Sequence, residues 1–406
     1  MLLTDLYNYM STLSRSHVFL ILSAGYLFYY LIEVVKRPFL AVKKGPFQKY
    51  LLKYVPTLEV KYWPTIWCFE SRAQTVFASL IRASVISNVE YKREVLQLKD
   101  GGEVALDWLD NGCAEDAPII IILPGLTGES QAEYIKCLVV QANSKGIKCC
   151  VFNNRGLGGI SLKTPRLYCA ANCEDLSEVV NHVHTRYPNV KKGATGVSMG
   201  GLILGNYLAT CSEEAKRIIT AANIISVPWD VEKGAISIEK PFLNSMLNSH
   251  LAGALCNTVK KYDILFKEEY EWKMDKVLSS KTIKEFDIHF TSIHFGYGSV
   301  DNYYAQASLH NKLHRITVPT LCLSASDDPF QPGHAIPIKA AEESSHVAIV
   351  VTVRGGHIGF LEGVFPAHKD QYMSRIFTQF FTAALFDSDG EFEKTISEVN
   401  DILAVE

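Results

Sequence analysis

The chain predicts an α/β fold: a mostly parallel sheet of eight strands with helices on both faces, a helical cap insertion, and a transmembrane helix in front of it. Three observations carry that expectation. Short apolar runs alternate with helix-period stretches from residue 118 onward, a charge-mixed helical stretch at about 230–300 interrupts the alternation, and residues 16–32 form an apolar run without formal charge. The composition agrees. Apolar residues make up 48% of 406 residues and charged residues 20%, enough to bury a large core and to exclude a disordered chain. A net charge of −3 leaves no basic field to attract nucleic acid. Ten cysteines are too few for a disulfide scaffold and lack zinc-type pairing, and Cys169 and Cys173, one helical turn apart, have no ligand pair near them. Reduced, buried thiols and no metal are therefore expected.

Residues 1–15 read as a tail and 16–35 as a membrane anchor. At 1.5 Å per residue, about twenty residues cross roughly 30 Å of hydrocarbon. Tyr26, Tyr29 and Tyr30 suit an interfacial belt. A cleaved signal fits less well, because no basic n-region precedes the run and Lys36-Arg37-Pro38 stands where a small-x-small site would be. Residues 36–89 form a basic juxtamembrane and pre-domain segment. Lys36, Arg37, Lys43, Lys44, Lys49 and Lys53 occur without an acid between them, a bias that places the bulk of the chain on the cytosolic side. The absence of any Asn-x-Ser/Thr acceptor is compatible with that side.

The main domain is expected over 90–386. Residues 91–98 and 103–109, joined by Asp100-Gly101-Gly102, read as a hairpin. The runs 118–123, 148–153, 222–227, 320–324 and 347–353 read as buried strands, with helices over 132–142 and 176–187 among the connections. Residues 190–196 form the eighth strand, although they are less apolar than a central strand should be. The cap at 230–300 falls where open α/β sheets bind ligands, and Phe242, Leu243, Met246, Leu247, Phe290 and Phe295 are its candidate acyl-pocket residues. The tail 387–406, with seven acids and one Lys, reads as a solvated helix or fraying end.

Gly196-Val-Ser198-Met-Gly200 is a Gly-x-Ser-x-Gly elbow followed by an apolar helix, a strand-to-helix turn that exposes a serine. A serine hydroxyl needs a general base, and the base needs an orienting acid. In α/β-hydrolase order the acid and then the base follow the serine. Asp327-Asp328-Pro329 follows one strand and Gly355-Gly-His357 the next. Of twelve histidines, only His357 combines a strand end with flanking glycines. Asp327 and Asp328 compete for the acid role; Asp328 is favoured because Pro329 fixes its loop, leaving Asp327 to cap or to be solvated. The oxyanion hole needs two backbone donors, assigned to Met199 after the nucleophile and to Leu126 in the loop after strand 118–123. This chemistry requires neither a metal nor an organic cofactor.

Six segments together resemble the AB-hydrolase 4 family of the AB hydrolase superfamily. They are Pro124-Gly-Leu-Thr-Gly128, Val151-Phe-Asn-Asn-Arg-Gly156, Glu174-Asp-Leu176, Gly196-Val-Ser-Met-Gly-Gly201, Asp327-Asp-Pro-Phe330 and Gly355-Gly-His-Ile-Gly-Phe-Leu-Glu-Gly363. Residues 62–72 are similar to a pre-domain motif of a membrane-anchored subgroup, and the resemblance spans roughly 15–386. It implies the α/β-hydrolase fold, with Ser198 as nucleophile, Asp328 as acid and His357 as base. It also implies a phospholipase acting on phosphatidylcholines with medium-length or oxidatively truncated acyl chains. The subgroup is described as type II, single-pass, which would place the catalytic domain on the side opposite to the one the Lys/Arg bias indicates. No His has an Asp five positions on, which disfavours acyl transfer to a lysolipid. Arg155 and Asp175 match the family and read as structural support. The rival readings are a carboxylesterase or acylglycerol lipase with the same triad, and a non-catalytic membrane scaffold that retains the fold.

Overall fold

The computed structural model describes residues 14–267, 273–366 and 371–405, so most of the expected tail 1–15 lies outside the described residues. Nine strands form one sheet in the order β1-β9-β8-β7-β6-β4-β5-β3-β2. They are β1 (Phe39–Ala41), β2 (Lys92–Gln97), β3 (Glu103–Leu109), β4 (Ile119–Leu123), β5 (Lys148–Asn153), β6 (Lys192–Val197), β7 (Ala221–Ile225), β8 (Thr320–Ala325) and β9 (Val347–Thr352). From β5 across to β9 every pairing is parallel. The hairpin β2–β3 joins the sheet antiparallel to β5. This is the α/β-hydrolase fold.

The expected count of eight strands is one short. The ninth is β1, three residues of the basic juxtamembrane segment that pair antiparallel with β9 and cover its edge. So short a strand has no periodicity to read, and covering an open edge is its physical use.

Burial on both faces explains the unbroken apolar runs. In β4, Ile119, Ile121 and Leu123 face one core and Ile120 and Ile122 the other, as a two-residue side-chain period requires. β6 is fully buried although it reads Lys-Gly-Ala-Thr-Gly-Val. Its small residues admit helices on both faces, and Lys192 spends its charge on the carbonyls of Tyr187 and Val190, at 2.5 and 2.6 Å. Arg155 is buried between Asp175 and Asp100, at 2.6 and 2.7 Å, and ties the loop after β5 to the helix Glu174–Arg186 and to the hairpin turn.

The N-terminal helix Arg15–Tyr29 runs on through a π-helical turn, Tyr30–Val34, and is long and apolar enough to cross a membrane. Two of the tyrosines expected in an interfacial belt bond to the segment that follows the helix. The Tyr26 hydroxyl donates to the Ile66 carbonyl, and the Tyr30 hydroxyl donates to that of Pro64 at 2.6 Å. Tyr30, Val34 and Val35 are buried against Ile66 and Phe69, so the end of the helix is docked on the pre-domain segment.

The acidic tail is helical, one of its two expected forms, but it is packed and not wholly solvated. It forms the helix Glu391–Val405, with Phe392 and Val399 buried in the main core. Lys53 donates to Glu391, and the Phe392 ring lies 5.1 Å from that of Tyr50. The tail's acids obscure an apolar stripe: Phe392 and Val399 pack inward while Glu393, Glu398 and Asp401 are exposed.

Between β7 and β8 the chain forms the cap. Its long helix, Leu243–Lys261, contributes Leu255 and Val259 to a separate small core with Phe266, Phe286 and Phe290.

Candidate active site

Ser198 follows β6 directly and caps the start of the helix Met199–Thr210. Its backbone is left-handed, with φ 53°, which a non-glycine residue adopts only where its surroundings enforce it. The enforcement is steric. A Cβ on Gly196 would lie 2.3 Å from the Gly200 carbonyl oxygen, and one on Gly200 would lie 2.3 Å from that of Leu123. Only bare backbone on both sides lets the turn close against β4, and the closed turn pushes the hydroxyl above the sheet.

His357 follows β9 and is buried. Its Nε2 lies 2.9 Å from Ser198 Oγ, and its Nδ1 lies 2.8 Å from Asp328 Oδ2. The other oxygen of Asp328 accepts the Phe330 N–H at 2.7 Å, so both carboxylate oxygens are engaged. The structure thus brings Ser198, His357 and Asp328 into one hydrogen-bonded line.

Asp327 points elsewhere. It accepts the Gly356 N–H at 3.0 Å and has Arg354 at 3.8 Å. Its side chain is only 12% exposed, so it caps the histidine turn and is not solvated. Burial pushes its carboxyl up to about 7.

Met199 is the first residue of its helix, where N–H groups have no intrahelical partner. Leu126 sits in the loop after β4 between two committed amides. Gly125 N–H donates to the Tyr134 hydroxyl at 2.9 Å and Thr127 N–H to the Tyr168 hydroxyl at 3.2 Å. Burial raises both phenols, Tyr168 to about 12, so each remains a neutral acceptor. Met199 and Leu126 both line the cavity that Ser198 and His357 face.

That cavity has a volume of about 640 Å³ and is walled largely by apolar side chains, among them Val76, Leu80, Leu202 and Leu255. Of the six cap residues expected to form it, Leu247 and Phe290 do. Phe242, Leu243 and Met246 are exposed, and Phe295 packs against the main core. Asp287 also lines the cavity; it is buried, accepts the Tyr304 hydroxyl at 3.1 Å, and is raised by desolvation to about 7. Apolar type alone does not say which side of a cap helix faces inward.

Several site residues carry no chemical signal of their own in the sequence. The Phe330 ring lies 4.2 Å from the His357 ring, and only its membership of the segment Asp327-Asp-Pro-Phe330 marks it. Thr75, Gln74 and Arg82 bond to the histidine loop from the pre-domain segment, where no chemical motif marks them.

A family profile described as Hydrolase_4, serine aminopeptidase S33, matches residues 114–347, more than half of the chain. The chain belongs to the Hydrolase_4 family. It is a serine hydrolase. The chain is 42% identical over 367 residues to mouse (Mus musculus) phospholipase ABHD3, covering 89% of this chain and 88% of that protein; the human (Homo sapiens) protein of that name gives the same figures. It is also 29% identical over 333 residues to a monoacylglycerol lipase of Saccharomyces cerevisiae, covering 71% of this chain and 74% of that one.

Proposed function

We propose that this hydrolase cleaves acyl esters of phospholipids at a membrane, with phosphatidylcholines bearing medium-length or oxidatively truncated chains as its substrates. Ser198 Oγ attacks the ester carbonyl as His357 Nε2 takes its proton, and Asp328 steadies the imidazolium. The N–H groups of Met199 and Leu126 receive the oxyanion. His357 then protonates the departing lysolipid oxygen. It next deprotonates a water that attacks the acyl-serine, and the fatty acid leaves with Ser198 restored. The observation that carries the reading is a serine–histidine–aspartate line, with contacts of 2.9 and 2.8 Å, opening on an apolar cavity of about 640 Å³. Such a space suits an acyl chain. The N-terminal helix Arg15–Tyr29 would hold that cavity beside the bilayer.

The test is lipid hydrolysis by the full chain in lipid nanodiscs together with fluorophosphonate labelling. Labelling and release of fatty acid from short-chain phosphatidylcholine, both lost in Ser198→Ala, are expected. Labelling without phospholipid hydrolysis would move the assignment to a monoacylglycerol lipase, the reading favoured by the yeast relative. Absence of labelling would leave only a scaffold.

A further inference from the structure

The helix Ser71–Val85 lies before the expected domain 90–386 and before the matched stretch 114–347, yet five of its hydrogen bonds end on the His357 loop. Thr75 Oγ1 accepts the His357 N–H at 2.9 Å. Gln74 exchanges two bonds with the Leu361 backbone, at 2.8 and 3.3 Å. Arg82 donates to the carbonyls of Ile358 and Gly359 at 2.6 and 2.5 Å, and through Nε to the Gln371 side chain at 2.5 Å.

The loop needs holding. Ile358 and Phe360 have φ of 59° and 45°, left-handed values that β-branched and aromatic residues reach only under constraint. The contact is also close, since a Cβ on Gly356 would lie 2.2 Å from the Ser71 carbonyl oxygen. Arg82 is 1% exposed, and among the described residues its cation makes no ion pair and rests on neutral oxygens. Apolar packing would dock a helix at lower desolvation cost. What the guanidinium adds is direction, because its planar fork fixes two successive peptides just after the imidazole-bearing residue.

We infer that Thr75 and Arg82 are positioning residues that hold the His357 imidazole between Ser198 and Asp328, which makes the pre-domain helix part of the active site. This rests on the triad reading above. Thr75 fixes the backbone nitrogen of His357 and Arg82 fixes the two peptides that follow, so the ring pivots from a clamped backbone. An imidazole that must meet partners at 2.8 and 2.9 Å on opposite edges tolerates little displacement. An error of about 1 Å costs on the order of 100-fold in rate.

The experiment compares Thr75→Val, Thr75→Ser and Arg82→Lys in the full chain in detergent micelles, with a soluble 4-nitrophenyl ester and a fluorophosphonate. Valine keeps the shape of threonine and removes the acceptor, whereas serine keeps the acceptor. Thr75→Val should lower kcat about 10- to 100-fold with KM nearly unchanged, and slow labelling in parallel. It should also weaken the low-field proton resonance of the His357–Asp328 bond. Thr75→Ser should recover most of the rate, and Arg82→Lys should fall between the two. The inference is overturned if Thr75→Val keeps wild-type kcat and only the melting temperature falls. If Arg82→Lys does not fold, the threonine pair decides alone. Parallel His357→Ala and Ser198→Ala variants separate the two claims: activity surviving in those sinks the triad itself, while activity lost there and kept in Thr75→Val sinks only the positioning role.

Discussion

The turn that carries Ser198 is built from its immediate neighbours, whereas the loop that carries His357 is held by a threonine 282 positions away. In the first, Gly196 and Gly200 let backbone lie on backbone, and the geometry follows from the local sequence. In the second, glycines permit the turn, but side chains of the helix Ser71–Val85 and Ser226 specify it; the Ser226 hydroxyl accepts the Ile358 N–H at 3.1 Å. A serine hydroxyl on a strained local turn is rigid by construction. An imidazole on a loop is only as well placed as the distant elements that grip it.

The largest effect tests whether the two halves act as one unit. Ser198→Ala and His357→Ala should each lower kcat by about a millionfold, and the double variant should lose little more, measured by single-turnover release of nitrophenol. Asp328→Asn should cost about 10,000-fold, because an amide cannot hold the imidazole in the required tautomer. Asp327→Asn should cost far less, since that carboxyl caps Gly356 and does not meet His357. A larger loss in Asp327→Asn would reverse the two assignments.

Gly200→Ala challenges the local half alone. Its Cβ would strike carbonyl oxygens at 2.3 and 2.4 Å, so denaturant unfolding should show a loss above about 4 kcal/mol. A milder change would show that the elbow can relax. Phe290→Ala enlarges the cavity from the cap side, and should shift the kcat/KM optimum toward longer acyl chains by about tenfold in relative preference. An unchanged profile across a phosphatidylcholine series would place the acyl chain elsewhere.

The smallest expected effect is on stability against pH. Asp327 and Asp287 are both raised to about 7 by burial, from an ordinary value of 3.8. Each binds its proton more tightly when folded, so the contribution of each to stability is greatest below 3.8, falls as pH rises toward about 7, and is flat above. Asp327→Asn and Asp287→Asn should each flatten that decline in melting curves taken between about pH 4 and about pH 8. If only Asp287→Asn does so, the cap alone carries the dependence.

Much of the architecture could be read from pattern. The β-branched runs at 119–123 and 347–352 declare strands buried on both faces, and the elbow glycines declare a turn with no room for side chains. The order of residues 198, 328 and 357, each at a strand end, suggested a shared rim, and the coordinates bring those three side chains together. Three readings needed correction, each for lack of a local signal. β1 is too short for a period to show. The tail's acids obscured the buried Phe392 and Val399. Phe242, Leu243 and Met246 resemble pocket residues in type, but which side of a helix faces a cavity is set by what packs behind it.

The amino-acid order by itself determined what short-range physics encodes: where strands and turns fall, which hydroxyl is thrust out of a tight turn, and that an apolar N-terminal helix precedes the sheet. Only the tertiary structure shows Asp328, already favoured over Asp327 by its proline, meeting the imidazole, and only it reveals that a helix ahead of the matched domain grips the histidine loop. The reason is physical. Propensity and periodicity act over a few residues, whereas a hydrogen bond between positions 75 and 357 exists only after the sheet has brought them together.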